Sequence, residues 1–92
     1  LRPALVSAPD RNPFREAVHF TLDGPAARGS ITVWDVQGRT VRRLFEGVLA
    51  AGPRTFAWDG RDDAGRRAAP GIYLIRVRRG GAVAAIRVVR LP

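Results

Sequence analysis

Turn-forming residues punctuate this chain so often that little room remains between them for anything longer than a strand. Asp23-Gly24-Pro25, Val36-Gln37-Gly38-Arg39, Asp62-Asp63-Ala64-Gly65, Pro70-Gly71 and Gly80-Gly81 recur at short intervals along 92 residues. Proline cannot donate to a ladder and glycine tolerates positive φ, so each cluster ends one element and starts another. Short segments between evenly spaced turn signals mark an all-β domain. The hydrophobic pattern agrees. Residues 16–22 place Val18, Phe20 and Leu22 on one face and Ala17, His19 and Thr21 on the other. Residues 30–36 are β-branched and aromatic, and residues 54–58 set Phe56 and Trp58 two apart. Residues 72–79 set Tyr73, Ile75 and Val77 against Leu74, Arg76 and Arg78, and Gly80-Gly81 turns the chain into a last strand over residues 82–90. A short first strand is expected near residues 4–7. The alternation assigns Phe20, Ile31, Val33, Phe56, Trp58, Tyr73, Ile75, Val77, Ile86 and Val88 to a core between two sheets.

One segment carries a competing pattern. Val41, Leu44, Phe45, Val48 and Leu49 fall at i, i+3, i+4, i+7 and i+8, the stripe of an amphipathic helix, with Thr40 placed to cap it. Gly47 in its middle costs a helix about 1 kcal/mol. Taken alone, the stripe favours helix. A lone helix among six or seven strands needs a sheet to lie on, and residues 40–49 are therefore read as strand.

Charge is the other prominent feature. Sixteen arginines, no lysine and eight acids give +8 at neutral pH, and a small basic domain is the footprint of nucleic-acid or anionic-surface binding. Arginine without lysine, alongside abundant alanine, glycine and proline, also fits a coding sequence rich in G and C, so a solvated basic surface is the favoured reading. Arg66 to Pro92 nevertheless holds seven arginines and no acid. Nucleic-acid binding needs aromatics interleaved with the basic residues, and along their strand Arg76 and Arg78 are interleaved with Leu74 rather than with an aromatic. The length fits one small domain, residues 1–92, with residues 1–11 as a linker or first strand. With no cysteine there is neither a disulfide nor a thiolate metal site. The longest wholly apolar run, Ala82–Ile86, is far shorter than the ~20 residues of a membrane helix.

Catalytic chemistry finds few candidates. His19 is the single histidine and is expected on the solvent face of its strand, while Ser7 and Ser30 sit in no nucleophile elbow. Asp59, Asp62 and Asp63 resemble a calcium loop only superficially, because Arg61 intrudes and no terminal glutamate follows. They are expected instead to shape turns and to pair with Arg61, Arg66 or Arg67. Asp35-Val36-Gln37-Gly38-Arg39 and Asp62-Asp63-Ala64-Gly65-Arg66 share the pattern Asp-x-x-Gly-Arg, in which aspartate accepts backbone N–H bonds and glycine takes positive φ. No catalytic, cofactor or metal residue is assigned. Trp34, Trp58 and Tyr73 form either a carbohydrate platform or, by preference for Trp58, part of the core, while the nearby turn leaves the facing of Trp34 open.

Several stretches together resemble a known family. They are Asn12-Pro13-Phe14, the run from Val33 to Leu44, Phe56-Ala57-Trp58-Asp59-Gly60-Arg61-Asp62-Asp63-Ala64-Gly65-Arg66, and Pro70-Gly71-Ile72-Tyr73. In this order and spacing they resemble the FlgD-type Ig-like domain, named after the flagellar hook-capping protein, and overlap with the C-terminal sorting domains of type IX secretion cargo. The likeness runs from about Asn12 to Leu91 and is most specific from Trp58 to Tyr73. It implies an Ig or fibronectin III-like β-sandwich of about seven antiparallel strands without a disulfide, and strand over residues 40–47. It also implies a non-catalytic C-terminal module of a larger exported bacterial protein, found outside the cell or in the cell envelope. Sorting, surface attachment and extracellular assembly are the roles it suggests. Ile86-Arg87-Val88-Val89-Arg90 stands where the sorting branch usually shows a lysine, and the long loop between Trp58 and Tyr73 leans toward the hook-capping branch.

The expected structural turn residues are Asp35, Gly38, Asp59, Gly60, Asp62, Gly65, Pro70 and Gly71. Arg76, Arg78, Arg87 and Arg90 form the candidate docking surface, with strand addition at the last strand as one way to use it. The expected partners are other domains of the parent protein, secretion or cell-surface machinery, or filament neighbours, with no specific nucleic acid. A glycan- or polyanion-binding accessory module and a hook-assembly scaffold are the alternative functions.

Overall fold

A computed structural model describes Val6 and residues 9–92. Among these residues there is no helix, and six strands follow in order: β1 (Val18–Leu22), β2 (Ala27–Asp35), β3 (Thr40–Leu49), β4 (Arg54–Trp58), β5 (Gly71–Arg79) and β6 (Ala82–Arg90). They form two antiparallel sheets, β1 with β4 and β3-β2-β5-β6. The fold is an Ig-like β-sandwich. The expectation of about seven strands is met by six, because the region of the expected first strand contributes an isolated bridge from Val6 to Leu22. The rest of residues 4–7 lies outside the described residues.

The two sheets meet on the faces that alternation assigned to the core. Val18, Phe20, Leu22 and Trp58 from the small sheet pack against Ile31, Val33, Tyr73, Ile75, Val77 and Val88 from the large one, all buried. Phe56 and Ile86, expected in the core, are only partly buried at its margin. Trp58 anchors the middle: its ring meets Phe14 at 5.6 Å and Tyr73 at 5.0 Å, both edge-on. Such pairs add about 0.5–1.5 kcal/mol each beyond their buried area. Each buried aromatic also satisfies its polar atom. Trp58 Nε1 donates to Arg61 O at 2.9 Å, and the Tyr73 hydroxyl donates to Ala69 O four residues upstream. A tyrosine tied back to the chain just before its own strand is a recurring brace in Ig-like sandwiches. Burial raises the Tyr73 phenol above its ordinary pKa, with the Arg90 charge opposing.

Residues 40–49 form a strand. The helix-like stripe has a structural cause. Ile31 pairs with Phe45 and Thr32 with Arg43, then Val33 with Arg42 and Trp34 with Thr40, so Leu44 and Val41 are extra residues at two irregularities. Each insertion reverses the alternation, which accounts for the spacing of Val41, Leu44 and Phe45. Val48 faces outward beside Arg28, 63% exposed, and is no part of a buried stripe.

The edges of the large sheet are managed differently. The loop after β4 lies along β3, where Asp63 N–H donates to Val41 O and Arg43 N–H to Asp63 Oδ1. At the other edge, the segment Asn12–Phe14 runs parallel to the end of β6 and bridges at Arg90. Phe14 N–H donates to Val89 O and Leu91 N–H to Phe14 O. The Asn12 side chain donates to Arg87 O and accepts from Val89 N–H.

Candidate functional site

Both Asp-x-x-Gly-Arg stretches fold into the same loop. Asp35 Oδ1 accepts from Gln37 N–H at 2.9 Å and Arg39 N–H at 3.0 Å, and Asp62 Oδ1 accepts from Ala64 and Arg66 N–H at 2.9 Å each. In each, the backbone closes with Gly38 N–H on Asp35 O or Gly65 N–H on Asp62 O, and both glycines sit at φ 83°. Hydrogen bonding, led by the Arg39 backbone N–H, holds the Asp35 carboxyl below its usual pKa. Asp59 Oδ1 accepts from Arg61 N–H at 3.1 Å, Gly60 O accepts from Ala68 N–H, and Pro70 leads into Gly71 at the start of β5.

The expected aspartate–arginine pairing needs one correction. Asp62 lies 3.9 Å from Arg66, but Asp59 and Asp63 both face Arg42 across the sandwich, at 3.4 and 4.0 Å. Arg61 turns to the Gly65 carbonyl instead. Arg42 is the nearer cation because the loop folds over β3, a long-range contact that local spacing does not encode. Among the described residues no group of three or more His, Cys, Asp or Glu could hold a metal ion. His19 is exposed and sits 3.4 Å from Asp10.

The four arginines of the expected docking surface do not share one face. Arg90 is a correction: it is 6% exposed, packs over Gly60 near Tyr73, and belongs to the core end of β6. Its position follows from the alternation, two residues beyond the buried Val88. Arg79 repeats this at the opposite end of the sheet, two residues beyond the buried Val77. It is 4% exposed, and it donates from Nε to Pro25 O at 2.8 Å and from Nη2 to Gly24 O at 2.9 Å and Ala50 O at 2.8 Å. Sequence reasoning missed Arg79, although the inward series Tyr73, Ile75, Val77 points straight at it.

Arg76, Arg78 and Arg87 do share a face, the outer side of the large sheet. Cross-strand register arranges that side in rows: Thr40, Trp34, Leu74 and Arg87; Arg43, Thr32, Arg76 and Ala85; Glu46, Ser30, Arg78 and Val83. Arg28 sits on the same face of β2, two residues before Ser30. The face therefore carries Arg28, Arg43, Arg76, Arg78 and Arg87 against a single acid, Glu46. None of these five arginines is in an ion pair among the described residues. An open groove crosses the face, floored by Trp34, Leu74 and Ala85 and flanked by Val36, Val83 and Arg76. Val36 and Val83 are 71% and 52% exposed, and Trp34 Nε1 is enclosed with no hydrogen-bond partner. Sequence reasoning left the facing of Trp34 open; the register puts it outside, on the groove floor, and Trp58 inside.

The family model for the FlgD Ig-like domain matches residues 12–82. The chain belongs to the FlgD Ig-like domain family. It is 41% identical over 56 residues to the basal-body rod modification protein FlgD of Salmonella typhimurium and, equally, of Salmonella typhi. That match covers 61% of this chain and 24% of the relative, so the chain spans about a quarter of the length of the curated relatives it matches. Among solved structures, the FlgD of Xanthomonas campestris, described by its role in the hook capping essential for flagellar assembly, superimposes with a TM-score of 0.62 at 27% identity. The likeness covers 95% of this chain and 62% of that one. PorZ, an essential bacterial surface component of the type IX secretion system of Porphyromonas gingivalis, gives 0.62 at 25% identity over 95% of this chain and 11% of its own. Dimeric latent PorU of the same organism gives 0.71 at 22% identity over 99% of this chain and 10% of its own, a likeness of fold. The structural neighbours thus lie within larger secretion and flagellar proteins, and this chain shares their fold over most of its length.

Proposed function

We propose that this FlgD Ig-like domain is a non-catalytic module of a larger exported bacterial protein, presenting a docking surface for sorting, cell-surface attachment or extracellular assembly. The observation that carries the reading is the family match over residues 12–82, with relatives described at the hook cap and at the type IX secretion surface. The site chemistry supports it. The loop aspartates that would have to serve a reaction already accept backbone N–H bonds or face arginines. Among the described residues, a broad arginine-rich sheet face and part of the β6 edge are left unengaged, the equipment of a binding surface.

Deleting residues 12–91 from the parent protein tests this. The expected result is a parent that keeps its other activities in cell extracts but fails to reach, or to stay at, the cell exterior, read by fractionation and surface protease accessibility. A parent exported and retained normally without the module overturns the reading.

A further inference from the structure

The last strand is covered along only half its length. Arg87 O, Val89 N–H, Val89 O and Leu91 N–H point toward the Asn12–Phe14 segment and are bonded to it. Backbone groups of alternate residues point to the same side of a strand, so Val83 and Ala85 direct their N–H and C=O to that same edge. Among the described residues no backbone group meets them there. An edge that is sealed at one end and open at the other is a place where another strand can add.

The side chains beside the open half define what that strand would carry. On the outer side stand Val83, Ala85 and Arg87, with Arg76 and Arg78 one strand further in. On the inner side Ala84 and Ile86 are only half-buried, an apolar shelf at the rim of the core. An added strand alternates its own side chains between those two sides. Acidic residues suit the arginine side and apolar residues suit the shelf. A second copy of this chain does not suit the site, because it would set one arginine-rich face beside another.

We infer that the open half of β6, residues 83–87, accepts an extended protein segment that alternates acidic and apolar residues. The added strand bonds to Val83 and Ala85, its acids stand beside Arg87 and within reach of the long Arg76 side chain across Ala85, and its apolar side chains cover Ala84 and Ile86. This deepens the docking reading and rests on it, yet it is tested with the purified 92-residue chain, independently of export.

The probe is a synthetic peptide of about ten residues alternating glutamate and valine, longer than the open edge. Binding is followed by calorimetry and amide hydrogen exchange. The expected result is saturable binding that protects the Val83 and Ala85 amides. It weakens about tenfold or more in an Arg76→Ala, Arg87→Ala double variant. Both side chains are exposed, and an unchanged melting curve confirms that the variant folds. A central proline in the peptide removes a ladder donor and should abolish the protection. Three outcomes overturn the inference: a lysine–valine peptide binds equally well, the glutamate peptide binds without protecting those amides, or it does not bind. Heparin binding more tightly than the peptide, without amide protection, would also overturn it and would assign the face to polyanions.

Discussion

Removing the Arg79 side chain isolates how this sandwich closes its loop end. One guanidinium ties the β1–β2 loop, at Gly24 and Pro25, to the β3–β4 turn at Ala50 through three bonds of 2.8–2.9 Å. Hydrogen bonds from a charged donor contribute about 1.5–3 kcal/mol each on average, so three set an upper bound on the order of 5–9 kcal/mol for a site that bears no unusual desolvation cost. Withdrawing a guanidinium from water costs several kcal/mol, and Nη1 is enclosed without a partner, which adds to that cost. The net loss in Arg79→Ala is therefore about 2–4 kcal/mol, including the packing of the aliphatic stem. For a domain of this size that is a fall in Tm of roughly 10–30 °C. Arg79→Lys keeps the charge but not the planar fork that reaches three carbonyls, and should recover at most about half. Arg76→Ala, exposed on the outer face, should stay within about 0.5 kcal/mol of the native chain. Thermal and urea unfolding of these variants beside the native chain measure these values. An Arg79→Met variant as stable as the native chain would refute the reasoning, because it would mean that desolvation outweighs the three bonds.

Two further expectations concern the backbone and the loops. A Cβ at Gly29, in the central strand β2, would lie 2.5 Å from Arg78 O and 2.7 Å from Leu49 Cδ1, so Gly29→Ala should cost about 1–3 kcal/mol in urea unfolding. Gly81→Ala at the hairpin, where a Cβ meets open space, should be close to neutral. Asp35 has its pKa lowered in the fold, so its contribution is present above the usual carboxylate value of 3.8 and is lost as pH falls through the lower folded value. Asp35→Asn should therefore melt below the native chain at neutral pH, with the gap closing below about pH 4. A gap that persists unchanged at pH 3 would contradict the assignment.

The sandwich was legible in the sequence because each turn has a chemical signature and most strands keep a clean period of two. Asp35 and Asp62 show this best, since both copies of one five-residue pattern fold into the same loop. Residues 40–49 show the limit. Two inserted residues, Val41 and Leu44, distort the period, and only the partner strand reveals them. The arginines mark a second limit. Alternation puts Arg76, Arg78 and Arg87 on the outward series and Arg79 and Arg90 on the inward one, but it does not announce whether an arginine at the end of an inward series curls out or lies across the core. Arg79 and Arg90 lie across it, at opposite ends. The covering of the sheet edges was also beyond reach, because it depends on Asn12 meeting Val89 and Asp63 meeting Arg43 through contacts distant in the chain.

The pairing of Asn12–Phe14 with the end of β6 has a mechanical consequence. The two segments run parallel, so once the Val6–Leu22 and Asp10–His19 contacts that precede Asn12 have parted, tension between the two ends of the domain pulls them in opposite directions along their common axis. The four hydrogen bonds that join them are then loaded together, as in a lap joint, and cannot be peeled one after another. Phe14, inserted against Trp58, pins the joint to the core. Resistance to such a pull is a rate, set by the barrier to breaking all four bonds at once. A module placed between an anchored neighbour and a dragged one would yield late and abruptly, with its core intact until the joint gives way.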